Sequence, residues 1–116
     1  MKIDLFQHIL PKKYKEALYE ALPPDFYLKD VIESLPTLFD LDHRFRIMDK
    51  FDGLMQVLTV TQPPLEMFTT PQKAIDLAKL ANDEMAELVL KYPDRFPCAV
   101  AHLPMNDMDA ALKEVD

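Results

Sequence analysis

Residues 54–60 read Leu-Met-Gln-Val-Leu-Thr-Val. The run is nearly all apolar and does not alternate with polar residues. A strand with one wet face alternates; a strand covered on both faces does not. The run therefore predicts a strand inside a parallel sheet. Parallel neighbours need a crossover, usually a helix, so the residues on either side decide the fold.

Downstream, Thr-Gln-Pro-Pro-Leu-Glu-Met-Phe-Thr-Thr (61–70) is a loop by its prolines and threonines. Thr70 is a good N-cap and Pro71 sits at the first helical position. Ala78, Ala81, Met85, Leu88 and Tyr92 follow at helical spacing and predict one buried stripe. Pro93-Asp94 makes a turn, Pro97 to Leu103 reads as a third strand, and Asp107 to Val115 starts another helix. Upstream, residues 2–7 read as a short strand. Pro11 opens a helix whose stripe is Tyr14, Ala17, Leu18 and Ala21, and Pro23-Pro24 ends it. A short helix is expected around Asp30 to Leu35. Residues 41–51 read as a helix with Leu41, Phe45, Met48 and Phe51 on one side.

The order is strand, helix, strand, helix, strand, helix. It predicts an α/β domain with a parallel sheet and crossover helices. With 116 residues, 49% of them hydrophobic, the chain suffices for one domain, spanning residues 1–116. Three strands leave two open edges, which stable domains cover. The expectation is the front part of something larger, or a homo-oligomer joined through those edges.

Composition excludes several classes. The net charge of −7 repels phosphate backbones, so no nucleic-acid partner is expected. A single glycine, Gly53, rules out glycine-rich phosphate loops. Cys98 is the one cysteine, so no internal disulfide forms; lying in an apolar run without basic neighbours, it reads as inert packing. No apolar run approaches the roughly 20 residues of a membrane span, and residues 1–11 lack a signal-peptide pattern. No membrane partner and a cytoplasmic location are expected.

Residues 3–11, Ile-Asp-Leu-Phe-Gln-His-Ile-Leu-Pro, are similar to the opening strand I-D-x-H-x-H-x-x-P of the amidohydrolase-related metal enzymes. The resemblance points to the branch containing aminocarboxymuconate semialdehyde decarboxylase and the aromatic-acid decarboxylases. Arg44–Phe51, Met55–Pro64, Leu80–Val89, Tyr92–Phe96 and Leu103–Leu112 resemble successive later parts of the same family. The resemblance implies the first three βα units of an incomplete (β/α)8 TIM barrel of the metal-dependent hydrolase type. It also implies non-oxidative decarboxylation of an unsaturated or aromatic carboxylic acid, or hydrolysis, with a divalent metal (Zn or Mn).

Strand alternation puts Asp4, Phe6 and His8 on one face, with His8 near the C-terminal mouth where barrel sites sit. Two histidines at i and i+2 converge on a metal. The family motif has both, but here the first is Phe6, which has no lone pair. His8 is thus the candidate metal ligand, or else an ordinary hydrogen-bonded histidine. The 116-residue chain is not expected to hold a metal alone. The alternative function is an inactive fragment or interaction module. His102, at the end of the third strand, is the candidate proton donor or anion ligand, or a satisfied strand-end histidine. His43 reads as a surface residue. Arg46, and likewise Arg44, can bind a carboxylate substrate; otherwise one pairs with Asp42 or Asp49 on the surface and the other caps a neighbour. Thr61 and Gln62, with Thr59, follow the second strand and are candidate substrate contacts, or plain turn polarity.

Overall fold

The computed structural model describes residues 1–115. Strand β1 (Lys2–Ile9) leads into helix α1 (Lys12–Ala21). Helix α2 (Leu28–Glu33), a 3-10 turn (Pro36–Leu38) and helix α3 (Leu41–Met48) complete the crossover to strand β2 (Leu54–Val60). A second 3-10 turn (Leu65–Met67) precedes the long helix α4 (Pro71–Lys91), and α5 (Met108–Val115) follows. β1 and β2 pair in parallel, as the crossover requires.

β2 is the strand its composition predicted: Gln56, Val57 and Leu58 are all buried. Thr70 caps α4, its side chain accepting from the Lys73 amide, with Pro71 next. The predicted stripe of α4 faces inward: Ala78, Ala81 and Met85 are buried, with Ala74 and Leu77 beside them. α1 begins after Pro11 without a cap of its own. Glu84 of α4 supplies one, accepting from the Lys13 amide at 3.0 Å and the Tyr14 amide at 2.7 Å. A carboxylate at these unpaired first-turn amides also meets the positive end of the helix dipole. One core cluster joins α1 to α4 through Tyr14, Leu18, Leu77 and Ala78. The other joins the sheet to α3 and α4 through Ile9, Leu58, Met48, Met85 and Phe96.

Two expectations change. The third strand, expected over Pro97 to Leu103, is reduced to one parallel bridge between Leu58 and Ala99. The Leu58 amide donates to Cys98 O at 3.2 Å and the Val100 amide to Leu58 O at 2.8 Å. Beyond that the chain leaves the ladder, because Asn82 of α4 takes both backbone groups of His102. Cys98, expected to pack, is exposed beside this short bridge.

β1 is also irregular. Asp4 pairs with Gln56 and Gln7 with Leu58, so β1 advances three residues while β2 advances two. This is a β-bulge, a device that re-aims side chains. The Asp4 carboxylate fixes it, accepting from the Phe6 amide at 3.2 Å and from the Gln7 side-chain amide. Leu5 and Phe6, within the bulge, are both largely exposed.

Candidate functional site

The C-terminal ends of β1 and β2 bring His8 and Thr59 together. They are register partners, and His8 Nδ1 lies 3.0 Å from Thr59 Oγ1. The hydroxyl occupies Nδ1 and so orients the imidazole, the arrangement that fixes a histidine for ligation or proton transfer through Nε2. The Phe6 ring stands edge-on to His8, centroids 4.7 Å apart. The bulge thus keeps Phe6 and His8 adjacent and commits Asp4 to Gln7, so Asp4 does not join His8 as a ligand.

Behind His8 lies Arg44 of α3. Expected at the surface or against a substrate, it is 3% exposed and bonds only to neutral acceptors. Nε donates to Thr37 O at 3.0 Å, Nη1 to Gln56 Oε1 at 2.8 Å, and Nη2 to the His8 carbonyl. Its neighbour Asp49 pairs instead with Arg95. Burial pulls the Arg44 pKa down to about 10, which leaves it cationic at neutral pH. The signal for this residue was its place on α3, four residues before Met48 and one before Phe45, on the inward side.

The other candidates lie apart. His102 follows the bridge, its ring centroid 6.1 Å from that of Tyr14. Its amide donates to Asn82 Oδ1 at 2.7 Å, and its carbonyl accepts from Asn82 Nδ2 at 2.9 Å. Its Nε2 is buried without a hydrogen-bond partner, and so is the Tyr14 hydroxyl. Desolvation lowers the His102 pKa, against a smaller opposing effect of Glu66. Burial therefore favours the neutral ring. Nothing brings His102 into contact with His8. Thr61 is half-buried and Gln62 exposed, both just past β2. Arg46 is exposed in the last turn of α3, the end from which the chain enters β2, away from the strand ends that carry His8 and Thr59. His43 is half-buried, and its amide donates to the Asp40 N-cap.

Among the described residues, no group of three or more His, Cys, Asp or Glu side chains can hold a metal ion. Phe6 cannot ligate, Asp4 is committed, and Thr59 takes one His8 nitrogen. The described residues offer one imidazole and do not complete a metal site. No described helix is long and apolar enough to cross a membrane.

No family model matches the chain. It is 38% identical over 115 residues to a gamma-resorcylate decarboxylase of Rhodococcus jostii (strain RHA1), covering 98% of this chain and 33% of that protein. It is 29% identical over 130 residues to a 2-amino-3-carboxymuconate-6-semialdehyde decarboxylase of Dictyostelium discoideum, covering 99% of this chain and 36% of that one. The fold superposes on a dihydroxybenzoic acid decarboxylase from Polaromonas sp. JS666, solved with manganese and the inhibitor 2-nitroresorcinol. The TM-score is 0.74 at 32% identity, covering 98% of this chain and 33% of that one. The chain spans about a third of the length of the relatives it matches, and the fold is a piece of the amidohydrolase type of TIM barrel. It is a homologue of the amidohydrolase-related decarboxylases and corresponds to an N-terminal part of them.

Proposed function

We propose that residues 1–116 are a partial barrel domain, the first portion of an enzyme that removes a carboxyl group as CO2, without oxidation, from an aromatic or unsaturated carboxylic acid. One observation carries the reading: the likeness to decarboxylases runs over almost the whole chain. The strand ends agree with it. His8 and Thr59 meet at the C-terminal end of the sheet, the face on which barrel enzymes build their sites. Breaking the carboxyl C–C bond leaves an electron pair on carbon, which must receive a proton. An imidazole fixed through Nδ1 is suited to holding that region of the site in one geometry. His8 would be a first-strand contributor to a divalent-metal site completed by ligands from outside the described residues. When bound, such a metal would supply a positive centre for the substrate carboxylate. Thr61 and Gln62, in the loop after β2, are the proposed substrate contacts. His102, past the bridge, is the proposed proton donor or anion ligand.

A second reading has one observation in its favour, Phe6. A phenyl ring where the motif has a ligand fits a chain that kept the fold and gave up the chemistry, acting as an interaction module or a homo-oligomer. One experiment separates the two. The product of the native gene is purified, its intact mass is measured, and it is loaded with Mn2+ and given gamma-resorcylate or an aminocarboxymuconate semialdehyde. Stoichiometric CO2 release supports the decarboxylase. No CO2 from either acid, with manganese bound or absent, rejects it in favour of the second reading.

A further inference from the structure

We propose that Arg44 is the positioning residue of the His8 site, holding the C-terminal end of β1 in place through the His8 backbone. The role rests on the reading of His8 as a site residue. Three observations carry it. The guanidinium bonds three separate elements: the Pro36–Leu38 turn through Thr37 O, β2 through Gln56 Oε1, and β1 through His8 O. It touches no substrate-facing group and no carboxylate among its described partners. A buried cation is costly without a counter-ion, and three charge-assisted hydrogen bonds in a fixed fork offset that cost.

The geometry explains why β1 needs the brace. The bulge at Leu5-Phe6 interrupts the β1–β2 ladder, which resumes only at Gln7, so a short run of pairs, Gln7 with Leu58, His8 with Thr59 and Ile9 with Val60, carries the end of the strand. Past the bulge, the His8 side chain is tied to Thr59 and its carbonyl to Arg44. The two contacts hold the residue from opposite ends, ring and backbone. Gln56, an unexpected polar residue in the middle of a buried strand, is accounted for by the same fork. A lysine carries the charge but reaches one acceptor at a time, so it does not reproduce the three-way contact.

The test reads His8 directly. The chain has three histidines, His8, His43 and His102, so an imidazole 1H–13C correlation spectrum carries three ring signals. In Arg44→Met the His8 signal is expected to shift or broaden while His43 and His102 stay in place. Arg44→Lys is expected to restore folding stability in part without restoring the His8 signal. Gln56→Leu, which removes one arm and keeps Arg44, serves if Arg44→Met fails to fold; it is expected to move the His8 signal by a smaller amount. An unmoved His8 signal in Arg44→Lys and Gln56→Leu, or equal movement of all three signals, would overturn the proposal. The spectrum needs no turnover, so a failed decarboxylation assay leaves this test intact.

Discussion

Replacing Asn82 with alanine should release the whole segment from His102 to Val115. Asn82 alone joins α4 to that segment by three hydrogen bonds: His102 N to Oδ1 at 2.7 Å, Nδ2 to His102 O at 2.9 Å, and Nδ2 to Glu114 Oε1 at 2.8 Å. Each is worth about 1 kcal/mol net, and the two His102 backbone groups are left partly buried without partners. Against this, alanine gains roughly 0.5 kcal/mol of helix propensity in α4. The sum is a loss of about 2.5 kcal/mol, which for a domain of this size lowers Tm by roughly 10–15 °C. The exposed neighbour gives the control: Asp83→Ala collects the propensity gain without the loss and should be neutral or slightly stabilising. Urea denaturation gives the magnitude, and amide hydrogen exchange places it. Amides of residues 102–115 should lose protection in Asn82→Ala, while those of β2 change only by the global loss. A cost below about 0.5 kcal/mol, within the range of ordinary surface substitutions, would refute the claim that this side chain anchors the segment. So would unchanged protection in α5.

Other substitutions probe separate parts of the structure. Leu58 is fully buried where the bridge meets β2, so Leu58→Ala should cost about 3–4 kcal/mol in denaturant unfolding. His102 has a folded pKa below its ordinary 6.5. The folded protein therefore binds fewer protons than the unfolded chain, and stability is full above about pH 6.5 and falls as pH drops below it. In His102→Gln that part of the pH dependence between pH 7.5 and 5 should flatten, measured as the difference between two urea-midpoint curves. Phe6→His places a second imidazole beside His8 and should raise Mn2+ or Zn2+ affinity in calorimetry above that of the wild-type chain; equal binding by both would remove Phe6 as the obstacle.

Much of the frame was legible because local chemistry and tertiary packing agree there. The buried strand at 54–60, the capped helix from Thr70, and the two helices flanking β2 follow from patterns that a few residues carry. The third strand did not, because its extent depends on an event 20 residues away: Asn82 takes the His102 backbone from the ladder. The bulge in β1 was hidden for the same kind of reason. Alternation put Asp4, Phe6 and His8 on one face, and only the Asp4 contacts to Phe6 and Gln7 show the extra residue. His8 was found by its motif, and Thr59 lay among the residues noted after β2. The sequence left Arg44 open between a substrate cation, a surface pair and a cap on a neighbour, since it gives an arginine's charge and helix position but not the three neutral acceptors waiting for it.

His8 is the proposed working residue of the proposed decarboxylase site. The most direct measurement compares CO2 release from gamma-resorcylate by the native gene product and by its His8→Gln variant, both supplied with Mn2+ and both shown to be folded. That role predicts turnover by the first and its near-complete loss in the second. Equal turnover by both would contradict it.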